Sequence, residues 1–249
     1  MKPLPLPADY DRIKVVHSFA ELINTPLRDG VNAICWQRHL QGDFDEVVAA
    51  LLRNGDDDAD DDSSASIDRI SNIEPAHLRR LNLSAAGQIA IDILIEDLRL
   101  LREHGLEPSL DCIHYYTRDD PAALVATDVY SFHVDSAPIA AETYLCAYTE
   151  AASEGLRNDQ AHRRVDIPAI RAALLQQFGG QDGADFLEFL HEHCYDLHYA
   201  PCATAQPFSF GLGNLGRIAI EYPGNPVPPC IHRAPETVPG CAPRLLLIS

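Results

Sequence analysis

The sequence predicts an α+β protein whose second half is a β-sandwich or jelly-roll barrel interrupted by helices. Three observations predict it. Short β-prone runs separated by Pro, Gly, Asp and Ser crowd residues 109–149 and 207–249. One long segment, 84–105, repeats its apolar residues with the period of a helix. Two further helix-like runs, 166–180 and 183–199, break into the β half. With 249 residues, 46% hydrophobic and 22% charged, the chain is long and apolar enough for one sizeable core. It reads as a single domain over 1–249: a mixed, helical part over 1–108, then a β core over 109–249 with a helical insertion at about 157–205.

The elements follow in order. VNAICWQ (31–37) is apolar enough for a strand. DFDEVVAALLRNG (43–55) carries acids at its start and Gly55 just past its end, the punctuation of a short helix. GDDDADDDSS (55–64) has no apolar anchor and reads as a solvated loop; it lacks the spaced ligands and glycine of an EF-hand. In SAAGQIAIDILIEDLRLLREHG (84–105), Ser84 caps, Ile89, Ile93, Leu94, Leu98 and Leu101 form the stripe, and Gly105 stops the helix. SLDCIHYYT (109–117), VYSFHVD (129–135) and ETYLCAYT (142–149) are strands. DIPAIRAALLQQFGG (166–180) has Asp166 as cap, Pro168 in the first turn and Gly179 as stop, and GADFLEFLHEHCYDLHY (183–199) is a second helix. PFSFGL (207–212), RIAIEY (217–222), PPCIHRA (228–234) and APRLLLIS (242–249) close the β half. GLGNLG (211–216) matches G-x-G-x-x-G, but a strand-like run follows where a dinucleotide site needs a helix, so it reads as a hairpin turn.

Charge and cysteines narrow the function. A formal charge of −18, with lysine only at Lys2 and Lys14, argues against a nucleic-acid partner, which needs clustered basic residues. No apolar run approaches the length of a spanning helix, so no membrane partner is expected. MKPLPLPADYDR has no apolar stretch of signal-peptide length, and the seven cysteines are odd in number and scattered. Reduced thiols in a cytoplasmic protein are the expectation.

The chemistry centres on SFHVDSAP (131–138). His133 and Asp135 lie two apart in a strand-like run and so project from one face. A chain with 11 His and 37 acidic residues contains roughly one or two such H-x-[D/E] matches by chance, so the pair needs a third ligand from elsewhere. His232, in CIHRAP, sits 99 residues later in the β-rich tail, and Arg244 opens the last strand twelve residues beyond it.

The order H-x-D, long gap, H, a dozen residues, R resembles the Fe(II)/2-oxoglutarate-dependent oxygenases, over roughly 109–249. More closely, GVNAICWQR (30–38), FHVD (132–135), YLCAYTEAASEGL (144–156), IHRAPE (231–236) and PRLLLIS (243–249) are similar to the uncharacterised bacterial domain-of-unknown-function family 1826, from about residue 20 to the end. After H-x-D, where that family carries a basic residue, this chain has Ala140, Ala141 and Glu142. The resemblance implies a double-stranded β-helix core, jelly-roll and cupin-like. It implies His133, Asp135 and His232 as ligands of a catalytic Fe(II), two imidazoles and one carboxylate leaving three positions open. It also implies Arg244 as the bidentate partner of the 2-oxoglutarate carboxylate. Tyr144 and Tyr148 share a strand face and read either as further co-substrate contacts or as core aromatics.

The implied activity is an oxygenase using Fe(II), O2 and 2-oxoglutarate, with succinate and CO2 as co-products and a small molecule as substrate. Two other readings stand beside it. One is a cupin-like metalloenzyme that needs no 2-oxoglutarate. The other is a metal-binding or sensing module built on HEHCYDLHYAPC (191–202), where His191, Cys194 and His198 fall on one face of a helix, with Cys202 beyond.

Overall fold

The computed structural model describes residues 5–55, 69–237, 240 and 242–249. The acidic run from residue 56 onward and Cys241 lie outside the described residues. The chain opens with β1 (Ile13–Val16), α1 (Phe19–Asn24), β2 (Ala33–Trp36) and α2 (Phe44–Gly55). Next come β3 (Arg69–Ile70), α3 (Pro75–Leu78), α4 (Ala85–Glu103), β4 (Ser109–Ile113), β5 (Glu142–Ala147), β6 (Glu154–Leu156) and β7 (Ala161–Arg163). Helices α5 (Pro168–Phe178) and α6 (Ala184–Glu192) precede β8 (Tyr199–Pro201), β9 (Phe208–Ser209), β10 (Leu215–Ala219), β11 (Ile231–Arg233) and β12 (Arg244–Ile248).

Local signals place the main helices. The Ser84 hydroxyl accepts the Gly87 N–H at 3.2 Å and starts α4, and Gly105 follows its end in the left-handed conformation at φ +84°. The buried stripe is Ala90, Ile91, Leu94, Leu98 and Leu101. It is rotated slightly from the expected one, because Ile89 faces solvent at 46% exposure. Helix α5 has Pro168 in its first turn and Gly179 in the left-handed conformation at its end, as expected; its cap position is Ile167, not Asp166.

Seven strands form one sheet in the order β1-β2-β10-β5-β12-β4-β3. The N-terminal strands are thus its edges, not a separate layer. Three strands form a second sheet, β11-β6-β9, and β7 pairs with β8. On the large sheet, alternation sends Ile34, Tyr144, Cys146, Leu245 and Leu247 toward α2 and α4. Ala33, Leu145 and Ile218 point the other way, onto Phe208, Phe210 and Cys230 of the smaller sheet's side. The result is a mixed α/β fold with a β-sandwich-like pair of sheets and helices on the outer face of the larger. No helix among the described residues is long and apolar enough to cross a membrane.

Three expectations change. Residues 129–135 are not a regular strand, yet the segment is hydrogen-bonded on both flanks: to β11 through His133 and His232, and to residues 197–199 through Phe132 and Val134. The helix expected over 183–199 ends at Glu192. Cys194 adopts φ +56° and a short 3-10 turn at Tyr195–Leu197 leads into β8. GLGNLG is a turn, with Gly211 at φ +84° and Gly213 at φ +74°. It joins β9 and β10, which belong to different sheets, so it is not a hairpin.

The helical insertion is tied in at backbone level. Val134 N–H donates to Leu197 O at 3.0 Å and Tyr199 N–H to Phe132 O at 2.7 Å. Helices α5 and α6 pack on each other and on Val125 and Val165 through Leu174, Phe186 and Leu190. The insertion therefore acts as a wall that continues the smaller sheet.

Candidate metal centre

His133 and His232 exchange both backbone hydrogen bonds at 2.9 Å, so they are directly opposed residues of antiparallel strands. Opposed residues present their side chains on the same face, and the two ring centroids lie 4.6 Å apart. Asp135, two residues on from His133, projects from that face too. Their neighbours Phe132, Val134 and Ile231 form an apolar cluster on the reverse face. Thr143, on the inward face of β5, donates its hydroxyl to Asp135 Oδ2 at 2.6 Å and links the two sheets across the site.

The ligand atoms converge. One ligating atom from each of His133, Asp135 and His232 lies within 4.8 Å of the others, the only such group of His, Cys, Asp and Glu side chains among the described residues. His133 Nε2 is 3.8 Å from Asp135 Oδ1, and His232 Nε2 is 3.7 Å from Asp135 Oδ2. These gaps are too wide for hydrogen bonds. A first-row ion bonded at about 2.0–2.2 Å sets its ligand atoms roughly 3–4 Å apart, so small side-chain adjustments complete the geometry.

The protonation pattern fits a cation. His133 Nδ1 lies 2.7 Å from Ser131 O and His232 Nδ1 lies 3.3 Å from Cys230 O. Carbonyls only accept, so each Nδ1 is the N–H and each Nε2 keeps its lone pair in the neutral ring. Burial, with His232 alongside, pushes the His133 imidazole from the ordinary 6.5 down to about 4. Burial pushes the Asp135 carboxyl up, but His232, the Thr143 hydroxyl and His133 outweigh it and hold it below the usual range. Two imidazole Nε2 atoms and one carboxylate thus face each other without a hydrogen bond between them. A divalent cation relieves that arrangement.

Arg244 stands on the inward face of β12, since Leu245 and Leu247 point to the helices. It is 3% exposed; Nε donates to Ala151 O at 2.9 Å, and Nη2 has no hydrogen-bond partner. Among the described residues no carboxylate pairs with it. A cavity of about 150 Å³ opens beside it, lined by His114, Glu150, Thr237 and Ala242. A larger cavity of about 420 Å³, lined by Val134, Ser136, Arg163, Tyr199 and Glu221, lies against Val134, whose side chain belongs to the reverse face.

Tyr144 and Tyr148 do not join the site, which corrects the co-substrate role expected of them. Both lie on the helix-facing side of β5, and the Tyr148 hydroxyl donates to Asp97 Oδ2 at 2.6 Å. The alternative cluster of His191, Cys194 and His198 does not form. His191 and Cys194 are exposed on the end of α6 and the turn after it, while His198 is buried beside His133. Sequence reasoning missed Thr143 and His198 as neighbours of the triad. Neither carries a local signal, because each reaches the site through strand pairing.

The two buried imidazoles make stability depend on pH. Burial, with Arg164 adding to it, also pushes His198 from 6.5 down to about 4. Between about 6.5 and about 4 the unfolded chain takes up protons on these histidines that the folded one refuses. The metal-free protein is therefore expected to lose stability as pH falls through that window. The thermal midpoint should drop more steeply for the wild type than for His198→Phe; parallel profiles would contradict the assignment.

Comparison with protein-family models, curated proteins and solved structures finds no match to this chain.

Proposed function

We propose that the chain is a non-haem Fe(II)/2-oxoglutarate-dependent oxygenase with a double-stranded β-helix core, acting on a small molecule and allied to the domain-of-unknown-function family 1826. One observation carries the reading. Two imidazole Nε2 atoms and a carboxylate converge without a hydrogen bond between them, and a buried guanidinium without a carboxylate partner stands on the inward face of β12.

Each group has a defined task. His133, Asp135 and His232 would hold the metal. Bound Fe(II), with 2-oxoglutarate and O2, supplies the oxidising chemistry, most simply hydroxylation, with succinate and CO2 as co-products. Ser131 O and Cys230 O orient the imidazoles, and Thr143 orients the carboxylate. Arg244 offers a free Nη2 to the distal carboxylate of the co-substrate.

The test uses anaerobic Fe(II)-loaded protein titrated with 2-oxoglutarate, followed by the visible charge-transfer band of the chelate. Arg244→Ala should weaken 2-oxoglutarate by about 1.5–3 kcal/mol, roughly ten- to a hundredfold, the worth of hydrogen bonds to a charged group. Arg244→Lys keeps the charge, loses the fork and should fall between. Iron binding should survive both changes. Equal 2-oxoglutarate affinity in wild type and Arg244→Ala would remove the clamp and favour a cupin-like metalloenzyme that does without 2-oxoglutarate.

A further inference from the structure

Three histidines stand side by side on the inner face of the smaller sheet. His232 and His133 belong to the triad. His198 comes from the far end of the helical insertion and opposes His133 from the other flank. The bonds from Val134 N–H to Leu197 O and from Tyr199 N–H to Phe132 O bracket this pair, so His133 and His198 are cross-strand neighbours of the non-hydrogen-bonded kind. Such neighbours have the closer side chains and share a face. The two ring centroids are 5.5 Å apart.

His198 is outside the converging ligand group, yet it is only 4% exposed and its Nδ1 has no hydrogen-bond partner. Two of the charged groups around it, Asp119 and Asp128, are engaged elsewhere, whereas the Arg164 Nε and Asp196 Oδ1 are buried without hydrogen-bond partners and Asp196 Oδ2 faces His191 Nδ1. Asp119 accepts from the Thr127 N–H and hydroxyl, and Asp128 accepts from the N–H groups of Asp119, Tyr130 and Ser131. The Arg164 N–H takes the His198 carbonyl, not its ring. A second orphan lies close by in the chain: the Ser131 hydroxyl, two residues before His133, is buried and unpartnered. Buried polar groups without partners are rare and costly, and one that stands beside a ligand residue marks a place built for something else.

We propose that His198 is the hydrogen-bond partner of a small anionic ligand held in an open position of the metal, orienting that ligand without entering the coordination shell. The inference rests on the metal-centre reading but not on the use of 2-oxoglutarate. It gives the insertion a function: by pairing residues 197–199 with residues 132–134, it brings a polar side chain beside His133 on the flank away from His232. His198 is in this sense a positioning residue for exogenous ligands.

The experiment uses Co(II)-loaded full-length protein titrated with azide, followed by the visible spectrum of the metal. His198→Phe keeps a ring and removes the donor, and should weaken azide about ten- to a hundredfold while Co(II) affinity stays at the wild-type level. His198→Asn, which retains an N–H donor, should recover part of the loss. Should the Phe variant fail to fold, His198→Leu asks the same question. Equal azide affinity in wild type and the donor-less variant would make His198 a packing residue and overturn the proposal. So would a wild type that binds Co(II) but not azide. A large loss of Co(II) affinity on losing the imidazole would make His198 a ligand, which also overturns it. A wild type that binds no Co(II) would sink the metal centre and this inference together, whereas the preceding outcomes leave the metal centre standing.

Discussion

Asp135→Ala is expected to abolish metal binding. Asp135 is the one anionic ligand in the triad, and both Nε2 atoms face it at 3.7–3.8 Å. Removing it leaves two neutral imidazoles, whose affinity for a divalent cation in a half-buried site is small. Loss of an outer-shell partner alone costs about ten- to a hundredfold in affinity, so loss of a direct ligand should cost more. The effect is readable in stability without knowing the substrate. A metal present at a hundred times its dissociation constant stabilises the fold by about 2.7 kcal/mol. For a domain of this size that raises the thermal midpoint by about 5–10 °C. The shift should appear in anaerobic wild type with Fe(II), Mn(II) or Co(II) and vanish in Asp135→Ala, His133→Ala and His232→Ala. The metal-free Asp135→Ala variant also loses the Thr143–Asp135 hydrogen bond, so each metal-dependent shift is read against the same variant without metal. If all three variants keep the wild-type shift, the triad is not the metal site.

Asp97→Ala should be the most destabilising single change on the other face of the large sheet. Arg38 Nη1 and Nη2 donate to Asp97 Oδ1 and Oδ2 at 2.6 and 2.7 Å, and the two side chains are 9% and 2% exposed. Arg38 Nε donates to Gly213 O at 2.6 Å, its guanidinium lies 4.5 Å over the Trp36 ring, and Tyr148 donates to the same carboxylate. Burial alone would lower the Arg38 pKa, and the hydrogen bonds and charge of Asp97 more than reverse that. Truncating one partner of such a pair strands a buried charge, at a cost of about 3–5 kcal/mol. Replacing both, as Arg38→Met with Asp97→Leu, should recover much of the loss, since the desolvation cost disappears with the charges. Chemical denaturation of the three variants measures this. The metal-dependent shift should persist in each variant that folds, because the network lies behind the sheet from the triad. A wild-type unfolding midpoint for Asp97→Ala would show the pair to be energetically idle.

Much of the secondary structure was legible because its causes are local. A serine at 84 offers an oxygen to an N–H three residues on, and a glycine at 179 adopts a conformation that other residues resist. The triad was half legible for the same reason: alternation alone puts His133 and Asp135 on one face. Adding His232 needed a resemblance in motif order, since nothing near residue 232 announces its partner. The two tyrosines show the limit. Spacing says that Tyr144 and Tyr148 share a face but not which face, and the choice between the metal-side interior and the helix layer reverses their meaning.

What the sequence determined by itself was the α+β character, the principal helices and strands, and the two-residue ligand pair. These rest on caps, periodicity and pleat, which act over a few residues. Only the tertiary structure decided that β1 and β2 join the large sheet beside β10, that Tyr148 serves Asp97, that Thr143 braces Asp135, and that His198 stands next to His133. Those outcomes depend on pairing between segments from 8 to nearly 200 residues apart. Register shifts of one residue would invert every face involved, and no local rule of chain geometry sets that register.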